Sequence, residues 1–247
     1  MHKIFQFFNN QFVPVGAILG LALIIAALIG AWTAITVKNA NNTLTVTGSA
    51  TANVSADTAK WTVTDNRTVF QADIPSATTQ VIADTKLITA FFTDAGIPAS
   101  NITLGAVHTN QDYSYMKSDV NTPTQYTVSQ SVTVTSDNPK LIQKLSQNTS
   151  SLTDKGLILN VQDPQYFLSN LPQYRISLAG AAMQDARARA EQIVKGSGSV
   201  GPLRSASTGA VQVMAANSID VSDFGTYDTS TIEKTVMVTV RATFSVN

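Results

Sequence analysis

Two short motifs in this chain have the spacing of known chemical sites, and both lie in unsuitable surroundings. Gly196, Gly198 and Gly201 match G-x-G-x-x-G, which binds a dinucleotide when a strand precedes it and a helix follows. Here the apolar pattern predicts a helix before the glycines and a strand after them, which indicates a helix end and a turn. Ser114 and Lys117 match S-x-x-K, but that motif needs its serine at a helix start, and this one lies at a predicted strand end. We therefore expect no catalytic residue and no cofactor.

Acidic residues near the C-terminus are the only candidates for a metal site. Asp220, Asp223 and Asp228 concentrate carboxylates in the segment 214–230, and oxygen ligands of this kind suit Ca²⁺. Their spacing differs from the D-x-[DN]-x-[DN]-G calcium loop, and a solvated loop is the alternative interpretation. His108 stands without a second histidine nearby and is expected to be a surface or packed strand residue. We expect no bound metal.

Three tyrosines form a candidate partner surface. Tyr113 and Tyr115 share one face of a predicted strand, and Tyr126 begins the next strand. Packing across the strand pair is the alternative explanation for these rings.

The composition excludes several classes of protein. The 247 residues carry no net charge and show no basic stripe that would attract a phosphate backbone, so we expect no nucleic-acid partner. Cysteine is absent, which excludes disulfides and thiolate chemistry. Only 13% of the residues are charged, and the abundance of Thr and Val favours β-structure.

The N-terminal region predicts a transmembrane anchor at 12–37, preceded by a short segment, 1–11. The span begins at Phe12, has no charged side chain, and places Trp32 near its outer end, where an aromatic ring meets lipid headgroups. Gly16 and Gly20 form a G-x-x-x-G that permits close helix contact. A cleaved signal peptide is the competing interpretation, but its apolar core is usually only about 7–15 residues.

A linker at 38–43 and a single domain at 44–247 are predicted to follow. Alternating and helical apolar spacings give the order β-β-α-β-β-α-β-α-β-β. This order predicts an α+β class with an antiparallel sheet and helices packed on one side of it.

The order of short motifs across 44–247 resembles the SIMPL domain family of bacterial envelope proteins. The matching segments are Leu44-Thr45-Val46-Thr47-Gly48, Asp57-Thr58-Ala59, Ala95-Gly96-Ile97, Asn101-Ile102-Thr103, Tyr113-Ser114-Tyr115, Tyr126 with Val132-Thr133-Val134, Ala182-Met183-Gln184-Asp185-Ala186-Arg187 with Arg189-Ala190-Glu191, and Ala242-Thr243-Phe244-Ser245-Val246. Ala50 and Ala56 depart from the Gly and Pro that members often have at these positions. The resemblance implies an exported α+β domain, an envelope structural or stress-related role and ring-like homo-oligomers, with no catalytic residues to carry over.

These observations lead to one expected function and one alternative. We expect a non-catalytic, single-pass protein of the bacterial cell membrane, attached through residues 12–37, whose C-terminal domain is periplasmic or extracellular and forms a homo-oligomer. The alternative is a monomeric envelope binding module that uses the Tyr113–Tyr126 region for an unknown ligand or partner.

Overall fold

The computed structural model describes residues 2–40, 42–112, 124–218 and 220–247. The helices are α1 (His2–Ala40), α2 (Ile74–Asp94), α3 (Pro139–Ser146), α4 (Ser150–Thr153) and α5 (Leu171–Val194). The strands are β1 (Thr43–Ser55), β2 (Thr58–Phe70), β3 (Ile102–Leu104), β4 (His108–Asp112), β5 (Gln125–Ser136), β6 (Leu159–Val161), β7 (Gln165–Phe167), β8 (Val200–Thr208), β9 (Gln212–Ala215) and β10 (Glu233–Val246). The class is α+β with antiparallel sheets, as the sequence predicts.

The N-terminal helix α1 is long and apolar enough to cross a membrane over Gly16–Ala34. Nineteen residues at about 1.5 Å each span close to the thickness of a hydrocarbon core. Leu23 and Ile18 are among its exposed apolar side chains, and such side chains favour lipid over water. The helix therefore has the character of a membrane anchor or a signal sequence. It continues to Ala40, into the predicted linker, and β1 begins at Thr43.

The strands divide between two sheets. In one, β1, β10 and β8 are adjacent in that order, and β9 also pairs with β10. In the other, β5 and β2 are the long central strands; β3 and β4 pair with β5, and β6 and β7 pair with β2. The sequence predicts a single sheet. The structure differs because local sequence patterns do not show which distant strands become neighbours.

The chain forms two compact units. The first unit consists of Met1–Ser49, Ala181–Gly209 and Thr239–Asn247. Within it, the alanine face of α5 packs on strand residues in a core of Val46, Ala186, Ala190, Ala242 and Phe244. A Cβ at Gly48 would overlap the backbone of Ala182 and Ala186, so glycine lets helix and strand approach closely. Ser49 N–H donates to the Asp185 carboxylate at 2.8 Å beside this crossing.

The second unit consists of Ala50–Gly180 and Ala210–Val238. Trp61 on β2 and Phe92 on α2 meet edge to face at the centre of its largest core, with ring centroids 5.4 Å apart. Pro75 lies in the first turn of α2, where the missing N–H costs nothing. The Asn138 side chain accepts from Leu141 N–H and caps α3, a role that the sequence Asn138-Pro139 indicates.

Two predicted strands are each divided in the structure. The segment 102–115 is predicted as one strand, but β3 ends at Leu104 and β4 runs from His108 to Asp112. The segment 203–214 likewise divides into β8 and β9. A glycine lies at both breaks, Gly105 and Gly209, and there a Cβ would collide with Ser131 and Thr239 respectively. At each break the pairing with the neighbouring strand shifts by one residue, which interrupts the strand as a β-bulge does.

Candidate functional site

The feature with the strongest functional character is the loop between β9 and β10, residues 216–232, with the cavity beside it. The cavity has a volume of about 400 Å³. Its lining residues belong to β9 and the loop: Val213, Met214, Ala215, Ser218, Asp220, Thr226, Tyr227 and Asp228. A volume of this size lies at the lower end of small-molecule sites.

Gln212, a buried residue of β9, holds the middle of the loop. Its side-chain N–H donates to the Ser222 carbonyl at 2.6 Å, and its Oε1 accepts from the Thr226 hydroxyl at 2.9 Å. Val213 N–H donates to the Thr226 carbonyl, and its own carbonyl accepts from Asp228 N–H, both at 2.8 Å. Gly225 adopts a φ of +88°, a conformation that side chains disfavour. The loop is therefore held in place by hydrogen bonds to β9.

The end of the loop is secured by a buried ion pair. Lys234 is 1% exposed, and its Nζ lies 3.1 Å from Asp228 Oδ2. The Asp228 carboxylate also accepts from the hydroxyls of Ser230 and Thr231, both at 2.6 Å. Burial raises the pKa of Asp228, but the hydrogen bonds from Ser230, Thr231 and Lys234 outweigh burial and hold the pKa well below its usual range.

The tip of the loop exposes apolar side chains. Phe224 is 98% exposed and Val221 is 62% exposed, and Asp223 between them is also exposed. The Tyr227 hydroxyl accepts from Leu168 N–H at 2.9 Å, and its ring lies 6.2 Å from the ring of Phe167. The exposed phenylalanine thus projects from a well-tethered segment.

The structure gives the three predicted metal candidates different surroundings. Asp220 and Asp228 both line the cavity, but Asp228 is committed to Lys234 and two hydroxyls. Asp223 lies on the exposed tip. Within the described residues there is no group of three or more His, Cys, Asp or Glu side chains that could hold a metal ion. The ammonium of Lys234 already neutralises the carboxylate of Asp228.

The glycine motif has a structural explanation. Gly196, with a φ of +90°, follows the end of α5, and Ser197 and Gly198 return N–H bonds to the Val194 carbonyl. Cβ atoms at Gly198 and Gly201 would collide with Asn247 and Ser245, so these glycines permit close contact with the last strand. A helix precedes the motif and β8 follows it, the order opposite to a dinucleotide site.

The other predicted site residues are only partly described. Tyr126 lies half-buried in β5, opposite Val69 and Gln111, whereas Tyr113, Tyr115 and the Ser114–Lys117 motif lie outside the described residues. His108 is an exposed residue of β4, opposite Ser129. In α1, Trp32 is exposed. A Cβ added at Gly16 or Gly20 would meet no other atom within 4 Å. The side chain of Phe12 lies outside the described part of the chain.

Two features of the sequence in and around the β9–β10 loop indicate its structure, apart from its acidic composition. Lys234 begins an alternation with Val236, Val238 and Val240, all of which are buried, so strand periodicity alone places this lysine inward. Phe224 stands between acidic residues and Gly225, a composition that indicates an exposed turn.

The comparison with known families identifies the class of protein. The profile of the SIMPL family, described as a protein of unknown function (DUF541), matches residues 44–244. The chain therefore belongs to the SIMPL family, which confirms the resemblance drawn from the sequence. No curated protein matches this sequence.

Proposed function

We propose that this protein is a non-catalytic, membrane-anchored component of a bacterial envelope that self-assembles into a homo-oligomer through its β9–β10 loop. The observation that carries the proposal is Phe224, 98% exposed on a loop that is itself tightly bonded to β9. The described residues include no group of side chains that could hold a metal ion, and the glycine motif at 196–201 follows a helix and precedes a strand.

An exposed aromatic on a rigid loop is a favourable anchor for a protein contact. Large aromatic side chains dominate interface energies, and a group already held in position loses little conformational freedom on binding. Gln212 and the Asp228–Lys234 pair provide that rigidity here. Phe224 and Val221 together form an apolar tip that a partner would remove from water.

The acidic surroundings of the tip favour a basic protein surface over a membrane surface. Asp220 precedes the two apolar residues and Asp223 lies between them, and carboxylates are repelled by anionic lipid headgroups. The first unit, counted from residue 42, carries a net positive charge. It contains two acidic residues, Asp185 and Glu191, and five basic residues: Arg187, Arg189, Lys195, Arg204 and Arg241.

Charges of opposite sign on the two units favour contact between the second unit of one copy and the first unit of another. The second unit contains nine basic and fourteen acidic residues. A contact in which two copies of a chain use different surfaces is heterologous. Repetition of such a contact gives a ring when the rotation between successive copies closes. The edge strand β8, which carries the exposed Leu203 and Arg204, is the surface of the first unit that we assign to this contact.

The anchor supports assembly by confining the copies. Attachment of every copy through α1 gives all of them one orientation and raises their effective concentration, so that weak contacts suffice. We place the SIMPL domain outside the cytoplasm, which accords with its low charge and with the family resemblance.

The test is the native mass of the full-length protein in mild detergent, measured beside two variants. Phe224→Ser should weaken association at least tenfold, because it removes the apolar anchor while leaving the loop bonds in place. Phe70→Ser, which alters another exposed phenylalanine, 46% exposed at the end of β2, should leave the mass unchanged. An oligomer that is equally stable in the Phe224 variant would refute the role of this loop.

The cavity favours one alternative function, a monomeric binding module. Its lining combines apolar groups such as Met214 with the hydroxyls of Ser218 and Thr226, a mixture suited to a small polar organic ligand. This site differs from the Tyr113–Tyr126 region, which stays a prediction. A monomeric native mass together with a small-molecule ligand that raises the melting temperature would favour this alternative.

A further inference from the structure

The second unit contains a buried carboxylate, Asp65, whose two oxygens accept no well-formed hydrogen bond from the described residues. Asp65 lies on β2 and is 0% exposed. A buried charged carboxylate without a partner is strongly unfavourable, and the usual relief is to bind a proton.

Arg67 lies two residues from Asp65 on the same face of β2, and Asp84 is near enough to act on the Asp65 carboxyl as well. Asp84, 8% exposed on α2, is paired with Arg67 of β2, whose Nε lies 3.1 Å from Asp84 Oδ2. The Asp84 carboxylate can accept a hydrogen bond from a protonated Asp65 while it keeps its ion pair with Arg67. The three side chains then form one chain of contacts with a single shared proton and one balancing cation.

The two strands that pair with β2 at Asp65 place uncharged side chains opposite it. Gln130 of β5 and Leu159 of β6 lie opposite Asp65 in the sheet. Gln130 is engaged elsewhere, since its amide donates to the Gly105 carbonyl and its Oε1 accepts from the Thr85 hydroxyl. Among the described residues, Arg67 of β2 and Asp84 of α2 are therefore the titratable or charged groups that act on Asp65.

We propose that Asp65 and Asp84 form a proton-binding site, in which a shared proton strengthens the packing of α2 on β2 in acidic surroundings and its loss weakens that packing. Burial raises the pKa of Asp65 to about 6, and the Asp84 carboxylate raises it as well, whereas Arg67 and the backbone N–H of Ile158 act in the opposite direction. Because the pKa is higher in the folded chain than its ordinary value of 3.8, folding binds a proton between these two values. This contribution to stability is fully present below pH 3.8 and is lost as the pH rises through about 6. The inference rests on the second unit alone and does not depend on the proposed assembly.

The test is the melting temperature of the full-length protein in detergent from pH 3.5 to pH 7.5, compared with Asp65→Asn. Asparagine copies the shape of the protonated carboxyl and can donate to Asp84, but it cannot lose a proton. The variant should melt close to the wild type at the acidic end and about 5 °C higher at the neutral end. Carboxylates with lowered pKa values, such as Asp57 and Asp185, are present in both proteins and cancel in the difference.

Two further variants keep the proposal open to refutation. Asp154→Asn, at an exposed position after α4, should follow the wild type at every pH. Asp84→Asn should move the loss of stability to lower pH, because it removes the repelling charge and leaves Arg67 to pair with Asp65. A constant difference between Asp65→Asn and the wild type, or an unaltered pH profile for Asp84→Asn, would overturn the proposal.

Discussion

The buried ion pair between Lys234 and Asp228 shows how a single residue determines the geometry of the candidate site. A fully buried ammonium is unfavourable unless it is neutralised and hydrogen-bonded. Asp228 provides a carboxylate and a backbone carbonyl to the same ammonium, and this closes the C-terminal end of the loop against β10.

Asp228→Ala should therefore be strongly destabilising. The substitution leaves the Lys234 charge buried without a counter-ion, and we expect the free energy of unfolding to fall by about 3–5 kcal/mol. Urea denaturation of the full-length protein in detergent measures the change. Asp223→Ala, at the exposed tip of the same loop, should alter stability by less than about 0.5 kcal/mol. Equal effects of the two substitutions would show that the pair does not secure the loop.

The pH dependence of this pair has the opposite sign to that of Asp65. The pKa of Asp228 is lowered in the folded chain, because the hydrogen bonds from Ser230, Thr231 and Lys234 outweigh burial. Its contribution to stability is present above pH 3.8 and is lost as the pH falls below that value. We expect Asp228→Asn to show a shallower loss of stability than the wild type on acidification below pH 3.8, as measured by melting temperature.

The buried charges are also the residues at which sequence reasoning falls short. Asp65 continues the inward alternation of Ala59, Trp61 and Val63, as Lys234 begins that of β10, so strand periodicity places both charged groups in a core. Periodicity could have indicated their burial. Their partners, Asp84 and Asp228, could not be predicted, because the distances depend on a helix packing and a loop closure that leave no local pattern.

At the scale of the elements, α5 and β1 pack so closely in the first unit that there is no space for a side chain at Gly48. Ala182 and Ala186 bring the helix backbone to Gly48, and this allows the Asp185 carboxylate to accept from Ser49 N–H. The backbone hydrogen bond from Ser49 is the main cause of the lowered pKa of Asp185, and Arg189 acts in the same direction.

Gly48→Ala should separate this helix from its strand. The added methyl group overlaps two backbone segments that cannot rotate away, and we expect a loss of about 2–4 kcal/mol in the free energy of unfolding. Gly180→Ala is the matched control within α5, since nothing lies within 4 Å of its built Cβ. There a more favourable helix propensity should stabilise the protein by up to about 1 kcal/mol. Denaturant unfolding of both variants distinguishes close packing from a general effect of glycine removal.

The sequence predicts individual elements better than their pairing. Helix α2 begins beside Pro75, α3 is capped by Asn138, and the alanines of α5 face the core, all from local spacing. Ile193 has the helical spacing that predicts an inward position with Ala186 and Ala190, but it is 60% exposed. The pairing of β2 with β5 and of β10 with β8 depends on strands far apart in sequence, and no local signal reports it.

At the scale of the whole molecule, the proposed assembly combines an apolar tip, charges of opposite sign and a shared membrane. The electrostatic part has a direct consequence. If acidic and basic surfaces meet, salt should screen the attraction, since the Debye length falls from about 10 Å at 0.1 M to about 3 Å at 1 M. We expect the oligomer to dissociate more readily in 1 M NaCl than in 0.1 M, as followed by sedimentation velocity. An oligomer that tightens in high salt would indicate an apolar contact without charge complementarity.

The contribution of the anchor can be separated from that of the SIMPL domain. Gly20→Leu fills the small-residue face of α1, which would obstruct close contact between helices. Because we assign assembly to the β9–β10 loop, this variant should keep the native mass of the wild type. Dissociation of the Gly20 variant would place the contact in α1.

The most direct test of self-assembly is the native mass of the full-length wild-type protein in mild detergent, measured beside Phe224→Ser. The account predicts one discrete mass that is a multiple of the 26.3 kDa chain for the wild type and a shift to the single chain for the variant. A wild type that is monomeric across the accessible concentration range would contradict the account and favour the binding module with its cavity beside Tyr227.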